Sequence, residues 1–125
     1  MRVIAGAYRG RKLISPPGMT ARPTTDRVKE AMFGALQFDI AGSRVLDAFA
    51  GSGALGIEAL SRGAAQVDFV EKDPACLRVL EQNLKTVGAQ NARVLRGDVL
   101  KLIPGLGQYD IVLLDPPYDA GPYED

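Results

Sequence analysis

The stretch Val45-Leu-Asp-Ala-Phe-Ala-Gly-Ser-Gly-Ala-Leu-Gly56 decides the fold of this chain. A short apolar run ends at Asp47, and glycines follow at positions 51, 53 and 56 in a G-x-G-x-x-G pattern. Gly51 and Gly53 permit positive φ and the close approach of a ligand, while Gly56 permits a helix to pack closely on a strand. The stretch therefore predicts a buried strand, a tight turn and a helix whose first N–H groups face a nucleotide-like ligand.

The rest of the chain alternates between strand-like and helix-like patterns. The alternation predicts an α/β fold, a Rossmann-like doubly wound, mostly parallel sheet that binds its ligand at the carboxyl ends of the strands. The first predicted elements are a hairpin over 2–15 and a helix that runs from a cap at Thr24 or Thr25 to about 38. The apolar face of this helix is predicted at Val28, Ala31, Met32, Ala35 and Leu36. Further strands are predicted at about 45–47, 66–71, 92–95 and 109–115, and further helices over 54–62, 74–87 and 100–103. The last strand is almost continuously apolar, which predicts helices on both faces of the sheet.

Composition excludes several classes of function. The chain has 125 residues, 46% of them hydrophobic, which suits one domain with its own core. It contains no histidine, so a Ser-His-Asp triad and the usual histidine metal sites are excluded. Cys76 is the single cysteine, which excludes an internal disulfide and suits a reducing cytoplasm. Its apolar runs are too short to span a bilayer, so we expect no membrane contact. From the missing histidine and the single cysteine we expect a cytoplasmic protein without a metal.

Charge is distributed unevenly along the chain. Residues 1–46 carry eight basic and three acidic side chains, whereas residues 47–125 carry seven basic and twelve acidic ones. An aromatic ring among cations suits RNA, whose bases stack and whose phosphates pair with guanidinium groups. We therefore predict a basic arm over 1–23 that contacts RNA and a catalytic domain over 24–125; the alternative is an unevenly charged, solvated surface. The residues predicted to bind RNA are Tyr8, Arg9, Arg11, Lys12 and Arg22.

Two cofactors compete for the glycine turn. Glu71 lies 20 residues after Gly51, the spacing at which a carboxylate reaches the hydroxyls of a ribose. A nicotinamide dinucleotide would place its pyrophosphate on the turn, where Asp47 would repel it. S-adenosylmethionine would instead place its ammonium group near Asp47, which is attractive. Asp98, after the third strand, is either an acceptor for the adenine amino group or an ordinary helix cap.

The motif Asp115-Pro-Pro-Tyr118 follows the last predicted strand. Its two prolines remove two backbone donors and stiffen the chain, which leaves carbonyl groups and the Asp115 side chain as acceptors. Tyr118 supplies a flat aromatic surface. Acceptors beside an aromatic ring suit the amino group of a nucleobase; the alternative is a strand ended by prolines with a polar cap.

Together, Asp115–Tyr118 and Val45–Gly53 resemble the S-adenosylmethionine-dependent methyltransferases that act on exocyclic amines. Gly10–Leu13 and Arg22–Phe33 resemble, more narrowly, the bacterial 16S ribosomal RNA guanine-N2 methyltransferases, the RsmD-like family. The resemblance implies a ribosomal RNA or small-subunit assembly particle as partner and places the target base at Asp115, Pro116, Pro117 and Tyr118. It implies S-adenosylmethionine as the cofactor, in a predicted site comprising Asp47, Ala50, Gly51, Gly53, Glu71, Lys72, Asp98 and Val99.

The family's sheet continues beyond the Asp-Pro-Pro-Tyr motif, so we expect a class I methyltransferase sheet truncated after strand four. The complete family fold is expected to be a monomer, and a dimer is the alternative for so short a chain. Three other functions remain open: an adenine-N6 or cytosine-N4 methyltransferase, a non-catalytic module that binds nucleotide or RNA, and a dinucleotide oxidoreductase.

Overall fold

A computed structural model describes residues 1–15 and 26–115 of the chain. The predicted caps Thr24 and Thr25, the predicted RNA ligand Arg22, and the segment Pro116–Tyr118 lie outside the described residues. The helices and strands are α1 (Asp26–Ala35), β1 (Arg44–Asp47), α2 (Ala54–Ser61), β2 (Gln66–Glu71), α3 (Pro74–Val87), β3 (Ala92–Arg96), α4 (Val99–Leu102) with a 3-10 turn at Ile103–Gly105, and β4 (Ile111–Leu113).

The four strands form one parallel sheet in the order β3-β2-β1-β4. The central strand β1 pairs with β2 and β4, so that Val45 lies opposite Val67 on one side and Ile111 on the other. Parallel pairing brings the carboxyl ends of all four strands to the same edge of the sheet. The predicted α/β fold with a doubly wound parallel sheet is confirmed.

Helices α1, α2 and α3 pack on the same face of the sheet. Phe33 of α1, Ile57 of α2 and Leu80 of α3 are fully buried in one cluster with Val45 and Phe69. A smaller cluster on the opposite face joins Leu46 and Val70 to Val99 of α4. Burial of these side chains is the main stabilising contribution, at about 1.5–3 kcal/mol for each large apolar side chain. The edge at the carboxyl ends of the strands lies between the two layers.

Strand β4 is shorter than predicted, and its two faces are buried to different extents. The expectation of helices on both faces of the sheet is confirmed, since α1, α2 and α3 lie on one face and α4 lies on the other. Ile111 and Leu113 are buried against the main cluster, but Val112 is 49% exposed and Leu114 is 64% exposed. In the described part of the chain, α4 together with Leu106 and Tyr109 packs on the face that carries Val112. The apolar run therefore forms a strand that is well buried on one face and partly exposed on the other in the described residues.

The apolar face predicted for α1 is wrong, because the buried face of the helix is shifted by about one residue. Of that face, Met32 and Leu36 are half-buried, whereas Val28, Ala31 and Ala35 are exposed. The buried positions are Lys29 and Phe33, both 0% exposed. The helix is rotated because the Lys29 ammonium bonds inside the protein, at 3.3 Å from Glu58 Oε1 and 2.6 Å from the carbonyl oxygen of Arg2. The helix also ends at Ala35 rather than near Phe38.

The amino-terminal hairpin exists as a compact loop with one antiparallel bridge, between Arg2 and Lys12, rather than as two paired strands. Val3 and Leu13 are buried in the main core cluster. The ladder stops because the N–H groups of Ile4 and Ala5 donate to Glu58 on α2, at 2.9 and 3.1 Å, and are unavailable for strand pairing. The loop is thus attached to α2 by both apolar and polar contacts.

Gly56 is predicted to be the residue that permits α2 to lie against the sheet. A Cβ atom built at Gly56 lies 2.3 Å from Cε2 of Phe69 and 3.0 Å from Oδ2 of Asp47. We expect Gly56→Ala to lower the free energy of unfolding by about 1–3 kcal/mol through overpacking. Gly34→Ala is the matched control, since its Cβ meets nothing within 4 Å in helix α1, and it should add about 0.5–1 kcal/mol. Urea denaturation measures both, and equal effects would contradict the packing role of Gly56.

Candidate active site

The glycine turn between β1 and α2 is open toward the carboxyl edge of the sheet. Gly51 and Gly53 have φ of +56° and +86°, as predicted, and the N–H of Gly53 donates to the carbonyl of Ala50 at 2.7 Å. A Cβ at Gly51 would meet nothing within 4 Å, whereas one at Gly53 would lie 2.4 Å from Leu80. Gly53 is therefore required for packing behind the turn, and Gly51 lines open space in front of it.

Asp47 ends β1 beneath this turn and is 1% exposed. Its Oδ2 accepts the backbone N–H of Gly56 in the first turn of α2, at 3.0 Å. Its Oδ1 is buried and accepts no hydrogen bond from the described residues. Burial raises the pKa of Asp47 to about 7; the Gly56 N–H opposes this shift, and the negative charges of Asp115 and Glu71 add to it.

Glu71 ends β2 on the neighbouring strand and holds the glycine turn directly. Its Oε1 accepts the N–H of Gly51 at 2.7 Å, and its Oε2 accepts the N–H of Asp73 at 3.0 Å. Each carboxylate oxygen has a further lone pair, so these bonds leave acceptor capacity on Glu71. Lys72, which follows Glu71, is exposed.

Asp98 follows β3 and acts as the N-cap of α4, where its Oδ1 accepts the N–H of Leu100 at 2.9 Å. Val99 is buried against Leu46 and Val70 on the second face of the sheet. The cap role is the one that the sequence offered as an alternative to adenine binding. It engages one oxygen, and the side chain of Asp98 is half-buried at the same edge as Glu71.

Asp115 lies two residues beyond β4 and is half-buried. Because Leu113 pairs with Asp47, Asp115 follows its strand at the edge where Asp47 ends β1. The negative charge of Asp115 is one of the smaller causes of the raised pKa of Asp47. The structure thus brings Asp47, Glu71 and Asp115 together around the glycine turn.

Comparison with known proteins identifies the family to which this chain belongs. The sequence model of the family described as "Conserved hypothetical protein 95" matches residues 1–125, the whole chain. The chain belongs to this family, the RsmD family.

Two curated relatives of this chain carry the same name as each other. The chain is 45% identical to "Ribosomal RNA small subunit methyltransferase D" of Escherichia coli strain K12, over 100% of the chain and 64% of the relative. It is 45% identical to the protein of the same name from Haemophilus influenzae, over 94% of the chain and 64% of the relative. The chain spans 64% of the length of each of these relatives.

A solved structure supports the same family assignment. The structure named "Putative methyltransferase yhhF from Escherichia coli." is 46% identical to this chain and superposes with a TM-score of 0.85. The superposition covers 99% of this chain and 68% of the other. The described elements therefore have the arrangement seen in a methyltransferase fold of this family.

Four of the five predicted RNA-binding residues of this RsmD family member fall within the described residues, and they lie on the amino-terminal loop. Arg9, Arg11 and Lys12 are exposed, and Arg11 also donates to the carbonyl of Thr86 at the end of α3, at 3.1 Å. Tyr8 is half-buried against the main core, so only part of its ring faces solvent. The described part of the predicted RNA surface is therefore a cluster of cations beside a partly available aromatic ring.

A buried ionic cluster, which the sequence interpretation missed, attaches this loop to α2. Glu58 is 0% exposed and binds Lys29 through Oε1 and Arg62 through Oε2, the latter at 2.9 Å. Ser61 accepts the N–H of Tyr8 at 2.9 Å and donates to the carbonyl of Ala5. A charged residue within the otherwise apolar sequence Ala54–Leu60 was the available signal for this cluster.

Cys76 on α3 is a buried thiol. Burial and nearby negative charges raise the pKa of the Cys76 thiol to about 12, so it is protonated and a poor nucleophile at neutral pH. In residues 1–15 and 26–115, no three His, Cys, Asp or Glu side chains are placed to hold a metal ion. No helix in the described part of the chain is long and apolar enough to cross a membrane.

The residues present fit a cofactor with a cationic amino acid end. A buried carboxylate oxygen without a partner, beneath a backbone turn that faces open space, is suited to accept hydrogen bonds from an ammonium group or from a water that it holds. Glu71 offers further acceptor capacity toward hydroxyl groups on the neighbouring strand. A pyrophosphate would instead face the carboxyl groups of Asp47, Glu71 and Asp115.

The pKa of Asp47 predicts how stability depends on pH. Because the pKa is raised above its unfolded value, this group stabilises the folded state most at low pH, and the contribution is lost as pH rises from about 4 through 7. We expect Asp47→Asn to be more stable than the native protein at pH 8, by up to roughly 4 kcal/mol, with little of this gain left at pH 4. Urea denaturation at both pH values measures the difference.

Asp39→Asn is the control for this measurement, because Asp39 is exposed. Its effect on the free energy of unfolding should be small, as is usual for an exposed surface side chain. A gain for Asp47→Asn that is as large at pH 4 as at pH 8 would contradict the assigned titration.

Proposed function

We propose that this chain is the cofactor-binding and target-binding part of an S-adenosylmethionine-dependent methyltransferase that acts on the exocyclic N2 amine of a guanine in 16S ribosomal RNA. The observation that carries the proposal is the buried, unpartnered Oδ1 of Asp47 beneath the open glycine turn, next to Asp115. The name shared by the curated relatives from Escherichia coli and Haemophilus influenzae supports ribosomal RNA of the small subunit as the substrate.

The cofactor would be held by the residues at the carboxyl ends of β1, β2 and β3. Asp47 would attract its ammonium group, Glu71 would accept from its ribose hydroxyls, and Asp98 would accept from its adenine amino group. Ala50, Gly51, Gly53, Lys72 and Val99 complete the proposed site. When bound, S-adenosylmethionine supplies a methyl group on a sulfonium, and this chain's residues determine which atom is placed in line with it.

Asp115 would act on the guanine amine. The lone pair of an exocyclic amine is delocalised into the ring, so the nitrogen is a poor nucleophile. Hydrogen bonds from the amine to the Asp115 carboxylate and the Pro116 carbonyl would favour a pyramidal nitrogen with a localised lone pair. These bonds strengthen as positive charge develops on the nitrogen, so they stabilise the transition state more than the ground state.

The remaining rate enhancement would come from placement of the two reactants. Tyr118 would stack on the guanine ring after the base leaves its own stack, and the exposed cations Arg9, Arg11 and Lys12 would hold the RNA backbone. Arg22 and Tyr8 would extend this RNA surface. The proton released from the methylated nitrogen would pass to Asp115 or to water, so the absence of histidine from the chain is no obstacle.

The partner would be ribosomal RNA or a small-subunit assembly particle, which places the protein in the cytoplasm where ribosomes assemble. The chain would contribute the two sites that a methyl transfer to an amine requires, one for the cofactor at the glycine turn and one for the acceptor at Asp115. Their separation onto the adjacent strands β1 and β4 lets both ligands meet at one edge of the sheet.

The proposal is tested with the purified protein, labelled S-adenosylmethionine, and both naked 16S ribosomal RNA and small-subunit particles. We expect N2-methylguanosine in nucleoside digests of the product. Asp115→Ala should lower the rate of methyl transfer by at least about 10²-fold, a loss typical for a group that stabilises transition-state charge, and leave affinity for S-adenosylhomocysteine within about two-fold.

Asp39→Ala is the matched control, since Asp39 is an exposed carboxylate remote from the predicted site residues in sequence, and it should keep the native rate. N6-methyladenosine or N4-methylcytidine in the digest would show the alternative base specificity. Binding of RNA or cofactor without any transfer would show a non-catalytic module, and full activity of Asp115→Ala would contradict the role of that residue.

A further inference from the structure

Asn83 on α3 connects two segments that are distant in sequence. Its side chain is buried, with the residue 1% exposed. The amide nitrogen donates to the carbonyl of Ile14 at 3.0 Å and to the carbonyl of Ser52 at 2.8 Å, while the amide oxygen accepts the N–H of Ile14 at 2.9 Å. One side chain therefore joins the end of the amino-terminal loop to the glycine turn.

The bond to Ser52 restrains the glycine turn from behind. Ser52 lies between Gly51 and Gly53, and the peptide group that joins Ser52 to Gly53 is held at both ends. Its carbonyl accepts from Asn83, and its N–H donates to the carbonyl of Ala50. Because glycines on either side have positive φ and wide conformational freedom, these two bonds select one orientation of the peptide group.

The bonds to Ile14 restrain the basic loop at its far end. Ile14 is itself 50% exposed, so its backbone groups rather than its side chain hold this position. At the other end, the loop is attached to α2 through Glu58 and Ser61. Gly53 is the N-cap of helix α2, so the loop and the turn are connected through both α2 and α3.

We propose that Asn83 is a positioning residue that couples the basic loop to the glycine turn, so that RNA and cofactor strengthen each other's binding. This inference rests on the proposed function, because it takes the loop as an RNA surface and the turn as a cofactor site. A ligand that orders the turn also orders the Ser52 carbonyl, and Asn83 transmits this restraint to Ile14. Thermodynamic linkage makes the effect reciprocal.

The variants follow from the chemistry of the amide. Asn83→Asp preserves the shape of the side chain but replaces two N–H donors with an oxygen that faces the carbonyls of Ile14 and Ser52. Asn83→Ala removes all three bonds. Asn91→Asp is the matched control, because the Asn91 amide also donates to two backbone carbonyls, those of Ala64 and Ala65, both at 3.0 Å, away from the loop and the turn.

The test is a calorimetric cycle on the purified protein. Affinity for S-adenosylhomocysteine is measured with and without a saturating RNA stem-loop from 16S ribosomal RNA. We expect the RNA to tighten this affinity by about five-fold or more in the native protein and in Asn91→Asp, a typical coupling between sites. In Asn83→Asp and Asn83→Ala, RNA should tighten the affinity for S-adenosylhomocysteine by less than about two-fold. In both variants kcat should fall by a larger factor than the affinity for S-adenosylhomocysteine measured without RNA.

Equal coupling in the native protein and the Asn83 variants would overturn the inference while leaving the proposed function intact. If RNA does not change the affinity for S-adenosylhomocysteine in the native protein, the inference is also overturned. Absence of S-adenosylhomocysteine binding, or of RNA binding, would overturn both.

If the Asn83 variants do not fold, amide exchange in the native protein decides the question. The Ile14 N–H, which donates to Asn83, should exchange several-fold more slowly when S-adenosylhomocysteine binds in the absence of RNA. An unchanged exchange rate at Ile14 would overturn the coupling.

Discussion

The site depends on one buried hydrogen bond, from the backbone N–H of Gly56 to the carboxylate of Asp47 at 3.0 Å. This bond joins the end of the central strand to the first turn of α2, and it satisfies an N–H that the helix itself leaves without a partner. Only one oxygen of Asp47 is used, and the other stays buried without a donor. The fold thus retains a carboxyl group at an energetic cost, which is reflected in its raised pKa. A site that binds a cation offers a physical reason to keep it.

The rest of the edge is arranged around this carboxyl group. Glu71 holds Gly51 from the neighbouring strand, so the turn is fixed from the front by Glu71 and from behind by Ala50 and Asn83. Asp115 approaches from β4 on the other side. Three acidic side chains from three adjacent strands give the edge a negative potential, whereas the exposed loop at Arg9–Lys12 is positive. This division favours a cationic cofactor at the edge and a polyanion on the loop.

The loop itself is held by buried charges. Glu58 satisfies two backbone N–H groups and two cations, Lys29 and Arg62, inside the protein. Buried ion pairs add little net stability, but removing one partner leaves an unpaired charge and costs about 3–5 kcal/mol. Their effect here is to define where the loop lies on α2, and α2 begins at the glycine turn.

Local signals predicted the strand, turn and helix around Gly51 and Gly53, because the spacing of these glycines and the apolar run before them are contiguous. The parallel direction of the strands followed from the alternation of elements. The rotation of α1 could not be predicted this way: Lys29 is buried because of Glu58, 29 residues further on, and helical periodicity treats lysine as a surface residue.

The ladder predicted for the hairpin stops for the same reason, since Glu58 takes the N–H groups of Ile4 and Ala5. Asn83 bonds to Ile14, 69 positions away in the sequence, and to Ser52, 31 positions away. An asparagine within an amphipathic helix gives no sign of such partners. The positions of Asp47, Glu71 and Asp98 at strand ends were predictable, and a cap at Asp98 was one of two alternatives. The restraint of Gly51 by Glu71 depends on a contact between residues 20 positions apart.

Calorimetric titration with S-adenosylhomocysteine tests the proposal that Asp47 holds the ammonium group of S-adenosylmethionine. The amino acid end of this ligand stays protonated between pH 6 and pH 8, whereas Asp47, with a pKa of about 7, ionises across this range. We predict binding that is about five- to ten-fold tighter at pH 8 than at pH 6, with adenosine, which lacks the ammonium, binding equally at both. Absence of binding, or equal affinity of S-adenosylhomocysteine at the two pH values, would contradict the claim.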